Sequence, residues 1–353
     1  MKRGAGVFLW FACLYVLSLG RGFYTSDGEV MFKTTAALVD RHTFALEPDP
    51  GLPQIVPGQR ERFYSKYDPG LPLLGVPFYV TGDWIGQINE AHRYRLAAFF
   101  YLLIPALSAA GAITLLYWLA QQLYGERRAL IVALMAGLGT LIWPYARVLF
   151  PEAVLACALT GSVALAVSFT VQPRLHSRYN IERGRLFAAG LVFGLGVMIR
   201  AAFAIYALPI AYLIVSTTGS RREKVLRLVA FGVGMIPGVV IVLWHNAQRF
   251  GDPFQFGYGS EGFTTPIWEG VIGLLFSPGK SVFLYTPPLM LSVILGPRFY
   301  RAFPVLGRFL MLSWAAAVVF YGTWWAWHGA WCWGPRFLVP LIPLSCLPLG
   351  KLP

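Results

Sequence analysis

The feature that constrains this chain most is a recurring apolar run of roughly 17–25 residues, long enough to cross about 30 Å of hydrocarbon as a helix. Such runs recur along the whole length, so the sequence predicts one membrane-embedded domain, 1–353, and not a soluble domain with an anchor. Only 13% of the residues are charged, where an ordinary soluble domain has about a quarter. The apolar pattern places ten transmembrane helices near 5–22, 97–120, 129–146, 152–171, 186–199, 201–217, 226–246, 281–297, 309–325 and 336–350. Residues 186–217 read as two helices meeting at Arg200, because one long helix would bury that guanidinium near mid-bilayer. Met1, Lys2 and Arg3 before the first run have the shape of a signal peptide. Without a small-x-small cleavage site, the segment reads as an uncleaved first helix. The expected fold class is therefore an all-α, polytopic integral membrane bundle.

Charge then orients the bundle. With the N-terminus inside, the loops alternate, and sixteen of the 29 Lys and Arg fall inside with only Glu126, Glu182 and Glu223. The inner set is Lys2, Arg3, Arg127, Arg128, Arg174, Arg178, Arg183, Arg185, Arg221, Arg222, Lys224, Arg227, Arg298, Arg301, Arg308 and Lys351. The other thirteen basic residues share the outside with thirteen acids. The whole net charge of +13 thus sits on one side, which is a topology signal and not a nucleic-acid footprint. The implied place is a bacterial inner membrane, multi-pass, with the N-terminus cytoplasmic. Four cysteines without paired spacing suggest neither a disulfide framework nor a metal site.

The first outer loop, 23–96, holds nine of the 16 acids. Residues 28–40 have the pattern of an amphipathic helix. The stretch 69–82 is apolar but too short to span, which suggests an interfacial or re-entrant piece. A large loop against a helical bundle is a natural place for a site.

Several residues carry possible chemistry. Asp27 and Glu29 lie just past the first helix, where a carboxylate can serve as general base toward a hydroxyl or ligate a cation. Spacing alone favours a plainer role, with Asp27 capping the next helix and Glu29 in its first turn. Glu152 follows Pro151 at a helix start and invites the same two readings. If its loop folds over the first, Glu152 joins Asp27 in one pocket. Arg200, Lys280 and Arg336 each abut an outer helix end, at a depth suited either to a lipid phosphate or to anchoring at the headgroups. Trp324, Trp325, Trp327, Trp331 and Trp333 crowd the last outer loop around His328. An aromatic belt explains most of them, and a sugar-binding face is compatible. Gly190 and Gly194 form a GxxxG pair that predicts close helix packing. No P-loop, dinucleotide fingerprint, His/Cys metal spacing or nucleophile elbow occurs.

The order of these features resembles the GT-C superfamily of membrane glycosyltransferases, and most closely its protein O-mannosyltransferase-like, family 39-like bacterial branch. The resemblance covers nearly the whole chain. It rests on SDGE after the first helix, YSKYDPGLPLLGVPFY (64–79), WPYARVLFPE (143–152), GLGVMIRAAFAIYALP (194–209), HNAQRFGDPFQFGY (245–258), FSPGKSVFLYTPP (276–288) and WGPRFLVPLIPL (333–344). It implies transfer of a sugar from a polyprenyl-phosphate donor to a protein, lipid or glycan hydroxyl on the extracytoplasmic face. By the same resemblance Asp27, Glu29 and Glu152 are the catalytic acids. Arg200, Lys280 and Arg336 would meet the donor phosphate, and Tyr67, Asp68, His328, Trp331 and Trp333 the sugar or acceptor. A divalent cation is a possible companion. Two departures stand out: Gly28 separates two acids that are often adjacent, and the chain ends with its last expected helix where many relatives continue. Competing classes are a transporter or lipid flippase, which would need internal repeats and mid-membrane charges, and a non-catalytic membrane scaffold.

Overall fold

Small residues decide where the helices of this protein touch. The computed structural model describes residues 2–20, 22–171 and 179–353; Arg174 and Arg178, counted above with the inner basic residues, lie outside the described residues. The α-helices are α1 (Lys2–Leu17), α2 (Ser26–Arg41), α3 (Gly70–Gly86), α4 (Arg93–Tyr124), α5 (Glu126–Leu138), α6 (Ile142–Ala146), α7 (Glu152–Val171) and α8 (Tyr179–Ile199). They continue with α9 (Ala207–Val215), α10 (Arg221–Phe250), α11 (Ile267–Phe276), α12 (Val282–Tyr285), α13 (Pro288–Ala302), α14 (Pro304–Thr323) and α15 (Ile342–Ser345). The expected GxxxG pair lies on α8 and packs against a second one on α10. A Cβ at Gly190 would strike the Phe231 carbonyl, one at Gly234 the Phe187 carbonyl, and one at Gly238 the Gly194 carbonyl. Backbone-to-backbone approach of this kind is what small-residue seams give helices that have no hydrophobic drive to associate in lipid.

Among the described residues three helices are long and apolar enough to cross a membrane: Glu90–Tyr124, Arg221–Phe250 and Pro304–Thr323. Arg3–Leu17, Glu152–Val167, Ala201–Val215 and Ile267–Phe276 are shorter apolar helices. Several of the ten expected runs are broken, each for a local reason. The run 129–146 is interrupted after Leu138 by Gly139 and Thr140. Pro287 and Pro288 divide 281–297 into α12 and α13. In the last run, Pro340, Pro343 and Pro348 cannot donate backbone hydrogen bonds, and 336–351 becomes two 3₁₀ segments around α15. Arg200 is extended and separates α8 from a 3₁₀ turn, Ala201–Tyr206, before α9, so the two-helix reading of 186–217 holds.

The first outer loop corrects the all-α expectation. Besides α2, which the amphipathic pattern foresaw, it holds a small antiparallel sheet of β1 (Ala45–Leu46), β2 (Ile55–Pro57) and β3 (Phe63–Ser65), in the order β1-β3-β2. Tyr64 sits at its centre, opposite both Ala45 and Val56. Three short strands lack the length and periodicity that would mark them in sequence. The apolar stretch after them is α3, which lies along α4 with Gly75 beneath the Tyr101 ring and Gly82 against Ala97.

The segments expected outside meet at one end of the bundle. Gly28 lies against the Leu149 carbonyl, Gly70 against the backbone of Met198 and Ile199, and the Thr265 amide donates to Thr323 O at 3.1 Å. At the other end Arg3 pairs with Glu126, Arg227 with Glu182 at 2.5 Å, and Tyr124 Oη donates to Leu347 O at 3.0 Å.

Candidate active site where the outer segments meet

The first turn of α2 sets the stage. Its cap is Thr25, whose Oγ1 accepts the Gly28 amide at 3.1 Å. Asp27 is therefore free of the capping role and its carboxylate turns into the cluster. Arg336 Nη1 donates to Asp27 Oδ2 at 2.8 Å, Gln54 Nε2 donates to Oδ1 at 3.1 Å, and the Tyr67 hydroxyl bonds it as well. Burial by itself would raise the Asp27 pKa. Arg336, the bond from Tyr67 and the nearby Lys66 outweigh it and hold the carboxyl below its ordinary value.

Glu152 opens α7 and its side chain has no solvent exposure. Arg200 Nη2 donates to Glu152 Oε1 at 2.9 Å, while Oε2 has no hydrogen-bond partner. Arg200 Nη1 and Arg336 Nε are likewise buried without partners. The Phe337 ring lies between the two cations, 5.4 Å from Arg200 and 5.0 Å from Arg336. Arg336 also stands 4.7 Å over the Phe150 ring. Phe150 and Glu152 belong to the segment expected as the second outer loop, which touches the first expected outer loop where the Leu149 carbonyl lies against Gly28. Two ion pairs thus sit side by side, with polar atoms left over that a ligand or water would satisfy.

A third group of charges borders them. Lys66 pairs with Glu261 at 2.6 Å and lies 5.4 Å from the Tyr258 ring. Asp68 is 5% exposed and its Oδ2 accepts the Ala201 amide at 2.8 Å. Burial pushes the Asp68 carboxyl up to about 6, against the opposing pull of that amide, Arg249 and Arg200. Arg249 is itself 1% exposed.

The other expected site residues stand apart from this cluster. Glu29 pairs with Lys33 at 3.2 Å, and Lys33 in turn reaches Asp49 at 2.9 Å. The Lys280 ammonium donates to Cys332 O at 2.9 Å and to Ala330 O at 3.2 Å, so it ties down the last outer loop. His328 Nδ1 accepts the Ala330 amide, and burial together with Lys280 and Arg336 lowers its pKa. Trp331 is 99% exposed, whereas Trp333, also exposed, sets its ring edge-on to Tyr285. Among the described residues no three His, Cys, Asp or Glu side chains converge as ligands for a metal. Asp27 and Glu152 each face a guanidinium instead, so the arrangement does not fit the possible divalent cation. The sequence reading did not single out Lys66, Arg249, Tyr258 or Glu261. Lys66, Arg249 and Tyr258 lie within the family-like motifs, and that was the signal available.

No protein-family model and no curated protein matches this sequence. Solved structures do. ArnT from Cupriavidus metallidurans bound to undecaprenyl phosphate superposes with a TM-score of 0.62 at 16% identity, over 99% of this chain and 60% of that one. ArnT in the apo state gives 0.60 at the same identity. The oligosaccharyltransferase AglB from Archaeoglobus fulgidus, in complex with an inhibitory peptide and a dolichol-phosphate, gives 0.55 at 13%, over 98% of this chain and 49% of that one. At such identities the likeness shows the fold alone, which this chain shares with ArnT and with the archaeal oligosaccharyltransferase. The chain spans about 60% of the length of ArnT and half that of AglB.

Proposed function

We propose that this chain is a membrane glycosyltransferase that moves a sugar from a polyprenyl-phosphate donor to a hydroxyl acceptor at the extracytoplasmic face of a bacterial inner membrane. The observation that carries the reading is the pair of buried ion pairs, Asp27–Arg336 and Glu152–Arg200, at the end where the outer segments meet. In the reaction, the acceptor oxygen attacks the anomeric carbon and gives its proton to Asp27. The bond from that carbon to the phosphate oxygen breaks, and polyprenyl phosphate leaves with the electron pair. This is a single displacement that inverts the anomeric centre. Arg336 and Arg200, with Lys66 beside them, neutralise the charge that develops on the leaving phosphate. Fixed cations in a water-poor site are worth far more than the same groups in bulk water.

The remaining roles follow from position. Glu152 holds Arg200 toward the phosphate. Tyr67 orients Asp27, and the exposed faces of Trp331 and Trp333, near His328, offer contact to a sugar or acceptor. Glu29 supports the opening of α2 through Lys33, and Lys280 fixes the loop that leads to Arg336. The acceptor is a protein, lipid or glycan hydroxyl, and the sugar, mannose or another, is decided by a panel. Purified protein incubated with radiolabelled polyprenyl-phosphate sugars should release polyprenyl phosphate from one of them. Asp27→Asn should lose at least a hundredfold in rate, in line with removal of a general base worth about 10²–10⁴. Full activity in a variant with Asp27→Asn and Glu29→Gln together would sink the mechanism.

A further inference from the structure

The strand β3 ends at Ser65, and the next three residues, Lys66, Tyr67 and Asp68, run as a strap across the floor of the site to the start of α3. The amides of this strap are held locally, Lys66 N donating to Gln54 O at 2.9 Å and Tyr67 N to Ser65 Oγ at 3.1 Å, so what side chains must still fix is its carbonyls and its far end. Arg249, in the last turn of α10, supplies the first clamp. Its Nη1 donates to the Ser65 carbonyl and, at 2.9 Å, to the Tyr67 carbonyl, the two that flank Lys66. Its Nη2 is committed to Asn246 Oδ1 at 2.6 Å, and Asn246 Nδ2 holds Pro253 O at 3.0 Å. The planar guanidinium therefore works as a fork in a fixed socket, which a flexible ammonium would not reproduce.

Asp68 supplies the second clamp, at the other end of the strap. Its Oδ2 takes the Ala201 amide, a donor left open at the start of the 3₁₀ turn that follows Arg200. One carboxylate oxygen thus joins the strap to the helix break from which Arg200 reaches Glu152. Gly70, just beyond, lies against the backbone of Met198 and Ile199, so no side chain could intervene there.

We infer that Arg249 and Asp68 are positioning residues: they clamp the Ser65–Asp68 strap so that Lys66 and Tyr67 face Asp27 while Arg200 stands against Glu152. The inference rests on the transferase reading for its consequence in rate, although the clamp itself can be tested without it. Asp68 then acts as a hydrogen-bond acceptor and does not exchange a proton with substrate. Arg249 acts through its fork and does not meet the donor phosphate.

The test compares Asp68→Asn, Asp68→Ala, Arg249→Lys and Arg249→Met in the full-length chain in detergent. Asn keeps an oxygen for the Ala201 amide but cannot serve as an acid or base. Expected are losses in kcat/KM of at least thirtyfold for Asp68→Ala and Arg249→Met, with Asp68→Asn recovering at least tenfold of the Asp68→Ala loss. Arg249→Lys should fall with Arg249→Met, and the losses should include a rise in KM for the donor. Brief trypsin treatment gives a readout that needs no donor. The bond after Lys66 should resist in wild type and Asp68→Asn, and open in Asp68→Ala and Arg249→Met. Asp68→Asn as inactive as Asp27→Asn would overturn the inference, as would equal protection of Lys66 in all variants. If Arg249→Met does not fold, the Asn–Ala contrast at position 68 carries the test. Wild type inert toward every donor, with the trypsin pattern as expected, would fell the transferase reading and leave the clamp standing.

Discussion

Asp27 keeps three side-chain donors, Arg336, Gln54 and Tyr67, whereas among the described residues Glu152 accepts from Arg200 and its other oxygen has no partner. That difference predicts unequal costs. Removing one member of a buried pair costs about 3–5 kcal/mol when the other is left uncompensated. Arg200→Met should approach that range, because Glu152 is fully buried. Arg336→Met should cost less stability, since two donors to Asp27 remain. Adding Glu152→Gln to Arg200→Met should recover most of the loss, and chemical denaturation of the three variants checks this order. The acids also differ in their response to pH. Asp27, held below its ordinary value, contributes stability that is present above the usual carboxylate range and lost as pH falls through its lowered pKa. Asp68, raised to about 6, has the opposite sign. Its contribution is full below about pH 4 and disappears as pH rises through 6. Relative to Asp68→Asn, wild type should lose thermal stability between pH 4 and 7, and melting curves at those two values decide it. Arg200 stood out in sequence because a guanidinium inside an apolar run is costly, whereas Asp27, Glu152 and Arg336 were named as site residues by the resemblance, spacing alone fitting a cap or an anchor as well. Lys66 and Arg249 were not. One sits in a loop already rich in charge, and the other at a helix end where an anchoring role suffices.

At the scale of elements, the α8 half of the α8–α10 seam and the break at Arg200 were readable, and the other broken helices were not. GxxxG is a local pattern with one physical meaning, the close approach of backbones. Its partner on α10, Gly234 and Gly238, completes the seam. Gly234→Leu would drive a side chain into the Phe187 carbonyl. Overpacking of this kind costs about 1–3 kcal/mol, and here it would also move Arg249, which lies four turns further along α10. Lower thermal stability together with trypsin cleavage after Lys66 is the expected outcome. A compensating change is not available on α8, where Gly190 is already the smallest residue. The helices that broke did so where glycine or proline falls inside an apolar run. Hydropathy integrates over such a run and does not see the break. The sheet in the first loop escaped for a related reason: its strands of two and three residues are fixed by pairing with one another, and pairing is not a property of any one segment.

For the whole molecule, the distribution of charge and the distribution of contacts agree. Residues assigned to the outer side by their loop meet around Asp27, and Arg3, Glu126, Glu182, Arg227 and Lys351 gather at the opposite end. The two ends are told apart by sequence because basic residues are retained on the cytoplasmic side. Their meeting could not be foreseen, since the bonds that join them span 309 residues for Asp27 and Arg336 and 195 for Lys66 and Glu261. The proposed polyprenyl-phosphate donor and extracytoplasmic acceptor together require the cluster to face away from the cytoplasm. Single cysteines placed at Ser220 and Trp331, in a background where Cys13, Cys157, Cys332 and Cys346 are replaced, test this directly. Both positions are exposed. In intact spheroplasts a membrane-impermeant maleimide should label position 331 and leave position 220 unlabelled until the membrane is opened. The reverse pattern would put the site in the cytoplasm, where nucleotide-linked sugars are the available donors, and would overturn the extracytoplasmic reading.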